Sequence, residues 1–404
     1  LSSGRPTIAL LFTTFPKTSE AFLQRDVAAL RAHGLDLRLY SLWGGGGEFQ
    51  GVPVRTFNKW RLVPLLLFTI PWNCLRRPRL VRDLCEGVLM RPPPAWLNFW
   101  ENMLGAGFAG CFYREFQKNP PALVHGAWAG APATAGWLLW RILGIPFSTG
   151  AHAYDLYEHG GDWWLLEKLE LARFIHTSTE AGRQRLVERG IAAAKIHTIR
   201  RGLESFPELK PLRRGRHPLR LICVARLVPK KGLDYQLKIY AALQRAGLDF
   251  EARIIGDGPL RERLEGTVAS MGLMDRVVLL GHVPHPDVWK HLAWADVLLH
   301  TGIVAPSGDR DGLPNVIPEA MAAGVLVVTS PVSATTEAIR QERTGLVADV
   351  DLPQAWVAAL QRLATDDALA DRLRRAAREW VEENYDARRN TARLIECFER
   401  ATQL

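Results

Sequence analysis

Twice along this chain a short, largely apolar run, Thr7–Phe12 and then Leu219–Val224, opens an alternation of strand-like and helix-like segments. Strands that are apolar at nearly every position are covered on both faces, the condition of a parallel sheet with helices above and below it. In the first half the runs at 37–41, 123–125 and 174–177 continue the series. The first helix there carries Phe22, Val27 and Leu30 at helical spacing, between a cap at Ser19 and a stop at Gly34. In the second half the runs fall at 252–255, 277–280, 297–300, 325–329 and 346–348. The predicted fold class is therefore α/β, with two Rossmann-like parallel-sheet domains facing across a cleft, where ligands bind by default.

A chain of 404 residues is long for one core, so two domains are the natural division. The predicted boundaries are a first domain over 1–205, a polar, Pro-rich linker over 206–218, a second domain over 219–385, and a final helix over 386–404 able to cross back onto the first. The glycine run Gly44 to Gly47 is too featureless for a phosphate loop and reads as a mobile connection.

Charge is uneven. Residues 1–210 hold 25 Lys and Arg against 17 Asp and Glu, which accounts for +8 of the total of +9. Within that half, residues 57–116 interrupt the alternation with Trp60, Trp72, Trp96 and Trp100 among Arg61, Arg76, Arg77, Arg79, Arg82 and Arg91. Rings with guanidinium groups suit an anionic membrane surface; a helical insert with a buried aromatic side and a solvated basic side fits the same residues. No RNA-binding signature accompanies them, so no nucleic-acid partner is expected. The apolar run from Leu62 to Leu75 is too short to span a bilayer and contains Pro64 and Pro71.

Cys74, Cys85, Cys111, Cys223 and Cys397 form no C-x-x-C pair and leave an odd one over, which favours a reducing compartment and indicates neither a zinc site nor a disulfide framework. No basic-then-apolar leader is visible, and the Leu-Ser-Ser-Gly opening reads as a processed end.

The chemistry concentrates in Ser307-Gly-Asp-Arg-Asp311-Gly312-Leu313-Pro314-Asn315-Val-Ile-Pro318-Glu319, ending at Gly324. Proline is tolerated only in a helix's first turn, so Pro318 puts a helix start near Asn315, with Gly324 as the stop. Amides of Gly312, Leu313 and Asn315 then gather at a positive helix end that attracts an anion, with a phosphate the natural one. Asp311 and Glu319 flank the turn and could accept hydrogen bonds from ligand hydroxyls. A helix start with acidic caps is the plainer alternative. Upstream, Arg226 and Lys231 precede Gly232 at another helix start, a pairing that suits a diphosphate. Strand ends follow at Gly256-Asp-Gly-Pro and Gly281-His-Val283-Pro, and in the first half at His152-Ala-Tyr-Asp155.

In this order the set resembles the retaining glycosyltransferases of family 4, which have the GT-B fold. The match is most specific over 220–347 and extends through Phe15-Pro-Lys-Thr-Ser-Glu20 and His152-Ala-Tyr-Asp155 toward enzymes of bacterial capsular and exopolysaccharide assembly. The resemblance implies that Arg226 and Lys231 hold a donor diphosphate, that Glu319 bonds the ribose, and that backbone near Gly256 and Val283 meets the nucleoside. It implies too that amides of Gly312, Leu313 and Asn315, around Pro314, touch phosphate and sugar, and that His152 approaches the donor sugar. The usual motif has glutamate at both ends; here the first is Asp311, one methylene shorter. The implied activity is metal-independent, retaining sugar transfer from a UDP- or GDP-sugar to a lipid-linked or polysaccharide acceptor, with no cofactor, by a protein peripheral to the inner face of the cell membrane. A nucleotide-sugar epimerase and a non-catalytic donor-binding subunit share enough of these features to stand beside it.

Overall fold

Each alternation closes into its own parallel sheet. The computed structural model describes residues 6–17, 20–76, 82, 85–87, 91–209, 211–213, 215–332 and 334–403. The predicted cap Ser19, and Arg77 and Arg79 of the basic region, lie outside them. The chain divides into two units: one runs to Ser178 and adds Gly182–Ile199 and the chain from Thr391, the other holds Thr179–Ala181 and Arg200–Asn390.

The first unit contains strands β1 (Thr7–Phe12), β2 (Asp36–Ser41), β3 (Gly47–Phe49), β4 (Val52–Thr56), β5 (Leu123–Gly126), β6 (Phe147–Gly150), β7 (Ile175–Thr177) and β8 (Ile196–Thr198). Their order in the sheet is β3-β4-β2-β1-β5-β6-β7-β8, parallel except for the β3/β4 hairpin. The central strand β1 explains the unbroken apolar run. Ile8 and Leu10 pack on Phe22, Val27 and Leu30 of helix Ala21–Ala32 and on Leu394, Ile395 and Phe398 of helix Ala387–Gln403. Ala9 and Leu11 face the other way, toward Tyr40, Phe108, Phe112 and Trp137.

The aromatic content of residues 57–116 divides between two roles. Helix Trp96–Lys118 buries Leu104, Phe108, Phe112 and Phe116, spaced at four residues, with the three phenylalanine rings gathered round that of Tyr40. This stretch is a crossover helix of the sheet, and each buried Phe contributes about 1.5–3 kcal/mol. Upstream, a 3₁₀ turn Lys59–Arg61, a π-helical stretch Leu65–Thr69 and helix Ile70–Arg76 leave Trp60, Leu67, Phe68, Trp72 and Leu75 more than half exposed. Trp96 and Trp100, at the start of the long helix, are exposed as well.

Gly44 to Gly47 is a packed turn rather than a loose connection. Gly45 has φ +68°, its missing Cβ would collide with the Phe15 carbonyl, and the Gly46 amide donates to that carbonyl at 2.9 Å. The last residue of the run begins β3.

The second unit contains β9 (Leu219–Val224), β10 (Phe250–Ile255), β11 (Val277–Gly281), β12 (Val297–His300), β13 (Leu326–Thr329) and β14 (Leu346–Val347), in the order β11-β10-β9-β12-β13-β14, all parallel. The chain steps outward from β9 through β10 to β11, then returns to lay β12 on the other side of β9, where Leu221 pairs with Val297 and Ile222 with Leu298. That reversal is the topological switch point of a doubly wound sheet, and the loops leaving β9 and β12 flank it. Among the described residues no helix is long and apolar enough to cross a membrane.

Candidate functional site

The loop after β9 makes a single 3₁₀ turn, Pro229–Lys231, and then helix Leu233–Arg245. Between them Gly232 takes φ +61°, and a Cβ there would collide with the Thr301 carbonyl from the end of β12. Only glycine lets the two loops come this close. Thr301 Oγ1 reinforces the approach, 3.2 Å from the Lys231 carbonyl and 3.0 Å from Gln236 Oε1.

The loop after β12 carries its acids back onto that turn. Lys231 Nζ lies 2.6 Å from Asp311 Oδ2, and Lys230 Nζ lies 3.0 and 2.9 Å from the two oxygens of Asp309 and 3.7 Å from Asp311 Oδ1. His300 is buried, with Nδ1 3.1 Å from Thr329 Oγ1 and Nε2 facing Asp311 at 3.5 Å, too long for a good hydrogen bond. Burial by itself would push the Asp311 carboxyl up; the Lys231 ammonium and the His300 contact more than reverse this and hold it well below the usual carboxylate range. Burial lowers His300, partly offset by Asp311.

Arg226 is exposed, and its guanidinium makes no ion pair or hydrogen bond among the described residues. It stands one residue beyond Ala225, on whose carbonyl Gly256 packs so closely that no Cβ would fit; the Gly256 amide donates to the Gly281 carbonyl at 2.8 Å. Val283, in the turn after β11, is half-buried and packs, as Leu313 does, on the cluster containing Val316 and Ile317.

Helix Val316–Ala323 starts one residue after Asn315 and stops at Gly324, which is left-handed at φ +74°. Its carbonyl contacts begin with Ile317 N to Pro314 O at 3.0 Å and Glu319 N to Asn315 O at 3.1 Å; the amides of Gly312, Leu313 and Asn315 donate to no described backbone carbonyl. Unused amides at a helix N-terminus form an anion-binding end. Asn315 Oδ1 accepts from Arg201 at 3.4 Å, and the buried Glu319 places Oε1 2.9 Å from Nε2 of the exposed His285. Arg226, Lys231, Asp311, Gly312, Leu313, Pro314, Asn315 and Glu319 thus all lie on loops and helix starts at the carboxyl edge of the second sheet. Lys230, Asp309, His300 and His285 were not singled out from sequence. Only the doubled lysine and the Asp-x-Asp spacing hinted at the first two.

His152 belongs to the first unit, at the carboxyl end of β6 and the start of helix Ala153–Tyr157. Its amide donates to Asp155 Oδ2 at 3.0 Å, and its ring meets those of Trp128 and His176 edge-on. Burial, with Asp162 adding to it, pushes the Asp155 carboxyl up to about 7. Glu101, on helix Trp96–Lys118, is pushed up to about 7 by burial and then Asp162, against the opposing Lys168. Asp162 and Lys168 form a fully buried ion pair that Asn98, Asn102 and Thr134 complete. Among the described residues no group of three or more His, Cys, Asp or Glu is placed to hold a metal.

The profile of Glycosyltransferase Family 4 matches residues 20–205, and that of Glycosyl transferases group 1 matches residues 208–380. The amylovoran biosynthesis glycosyltransferase AmsK of Erwinia amylovora is 36% identical over 217 residues, 54% of this chain and 53% of that protein. The GDP-mannose-dependent α-(1-6)-phosphatidylinositol monomannoside mannosyltransferase of Mycolicibacterium smegmatis is 32% identical over 177 residues, 44% of this chain and 46% of that protein. The chain thus matches about half the length of these relatives. Anabaena HepE, solved in complex with UDP, superposes with a TM-score of 0.69 over 97% of this chain and 99% of its own at 15% identity, a likeness of fold. Two parallel-sheet units, the switch-point site and the paired profiles make this chain a member of the family 4 glycosyltransferases, with the GT-B fold.

Proposed function

We propose that this protein transfers a sugar from a UDP- or GDP-sugar to a lipid-linked or polysaccharide acceptor, with retention of configuration, at an anionic membrane surface. One observation carries the reading: the loops leaving β9 and β12, on either side of the switch point of the second sheet, carry a guanidinium with no ion pair among the described residues, a lysine held by a single carboxylate, and amides before a helix start that donate to no described carbonyl. That is what a diphosphate needs. Arg226 and Lys231 take the phosphates, the amides of Gly312, Leu313 and Asn315 take phosphate and sugar oxygens, and Glu319 takes the ribose hydroxyls. Preorganised donors of this kind stabilise the negative charge that develops on a leaving diphosphate. Retention needs no covalent nucleophile when the acceptor oxygen attacks from the face the diphosphate leaves, its proton passing to a donor phosphate oxygen. His152 is assigned to a hydroxyl of the transferred sugar.

The donor choice draws on the UDP complex of HepE and on the GDP-mannose dependence in the mycobacterial relative's name; the acceptor class draws on that name and on the amylovoran-biosynthesis role in the name of AmsK. Membrane placement rests on the exposed rings and leucines between Trp60 and Leu75 beside Lys59, Arg61 and Arg76, with the Arg76 guanidinium 4.4 Å from the Trp72 ring centre. Apolar groups at headgroup depth and basic residues worth about 1 kcal/mol each on an anionic leaflet make a peripheral anchor.

The test is a thermal-shift screen of UDP-, GDP-, ADP- and TDP-sugars. A ligand at 100 times its Kd stabilises by about 2.7 kcal/mol, and a shift with UDP- or GDP-sugars alone is expected. No shift with any of the four would overturn the reading.

A further inference from the structure

Lys230 and Lys231 are neighbours on one 3₁₀ turn, yet each takes a different acid from the loop after β12. Lys230 straddles the Asp309 carboxylate, with oxygens at 3.0 and 2.9 Å, while Lys231 meets Asp311 at 2.6 Å. The pairing is largely withdrawn from water, with the Lys230 and Asp309 side chains only 11% and 18% exposed. The backbone holds the same register: Ile303 N donates to the Lys230 carbonyl at 2.9 Å, and Ala305 N to the Asp309 carbonyl at 2.8 Å.

We infer that the Lys230–Asp309 ion pair is a positioning clamp that keeps Asp309 off Lys231, leaving that ammonium to Asp311 alone, the arrangement a donor diphosphate meets. The inference rests on the donor-site reading above. Its logic is competition among close charges. Lys230 Nζ is within 3.7 Å of both acids, so the Asp309 and Asp311 carboxylates are near neighbours, and Lys231 is one ion-pair length further on. Take away the Lys230 charge and Asp309 is a half-buried anion drawn toward Lys231, the lysine next to its lost partner; two carboxylates on one lysine leave little of it for a phosphate. Take away the Asp309 charge and Lys230 turns to Asp311, drawing it from Lys231 and leaving that lysine more open to an incoming anion. The two single changes therefore act in opposite directions on diphosphate binding, and the second reverses the first.

Calorimetric titration of UDP and GDP into the wild type, Lys230→Met, Asp309→Asn and the double variant tests this, with melting curves confirming that each is folded. The expected results are at least tenfold weaker binding in Lys230→Met, equal or tighter binding in Asp309→Asn, and recovery to within threefold of wild type in the double variant. A merely structural loss would leave the double variant as weak as Lys230→Met or weaker, and that result overturns the clamp. So does a Lys230→Met protein that binds within threefold of wild type. A wild type that binds neither nucleotide removes the donor-site reading and the clamp together, whereas the other two outcomes remove the clamp alone.

Discussion

Lys231 Nζ sits 2.6 Å from Asp311 Oδ2, so a cation assigned to the donor already carries an internal counter-ion, while Arg226 carries none among the described residues. The two should separate under mutation. Arg226→Ala is expected to weaken nucleoside-diphosphate binding by the roughly 1.5–3 kcal/mol of a charge-assisted contact with no change in melting temperature. Lys231→Ala should lose binding and melting temperature together, because it strands a buried carboxylate. Titration and melting of both variants check this; equal melting temperatures would mean that the Lys231–Asp311 pair is worth nothing to the fold.

Asp311→Asn should leave UDP or GDP affinity unchanged or improved, since it releases Lys231, and should sharply reduce sugar transfer if the carboxylate serves the sugar. Gly308 and Gly312 bracket the acid, and the expectation is that they let its backbone approach the sugar closely enough to replace the reach of a glutamate. Affinity and kcat are measured on the same preparation. An Asp311→Asn enzyme with full kcat shows that this carboxylate has no part in transfer.

Glu101 gives a prediction in pH. Its folded pKa, pushed up to about 7, lies above an unfolded value near 4.3, so its contribution to stability is fully present below about pH 4 and is lost as pH rises through 7. Glu101→Gln removes the group that becomes unfavourably charged. The variant should melt higher than wild type at pH 8 and alike at pH 4. A lower melting temperature at pH 8 would show that the charged form is the stabilised one.

The exposed apolar and basic surface between residues 59 and 76 should hold the protein on anionic vesicles and release it with salt, as the Debye length falls from about 10 Å at 0.1 M to about 3 Å at 1 M. Replacing Trp60, Phe68 and Trp72 with serine should abolish sedimentation with vesicles and leave nucleotide binding intact. Equal retention on neutral and anionic lipid counts against the basic residues having a role.

What could be read from the sequence follows burial. The central strands at Thr7–Phe12, Leu219–Val224 and Val297–His300 match their predicted limits to the residue, because strands covered on both faces are apolar almost throughout and stand out from the loops around them. Gly47–Phe49, Val52–Thr56 and Ile196–Thr198 were missed. They are short strands at or near the sheet's edges, one containing Pro53, with too few residues to show a period. In the site, the helix from Val316 to Gly324 was visible from Pro318 and the glycine. The partners Lys230–Asp309, Lys231–Asp311 and His285–Glu319 were not, because they lie 34 to 80 residues apart and depend on how β12 returns beside β9.

That return has a consequence for how the protein is made. The loop carrying Lys231 leaves the ribosome with β9, but its partner loop arrives only after β10 and β11 have been synthesised and β12 has found the vacant side of β9. Contacts this distant in sequence form late, since chain closure has to precede them. Until then the second unit is a half-sheet with an open edge on β9, the kind of surface that aggregates or engages chaperones. Arrival of β12 closes that edge and brings the two loops of the proposed donor site together in one step, so on that reading a molecule competent to bind nucleotide is also one whose most vulnerable folding intermediate lies behind it.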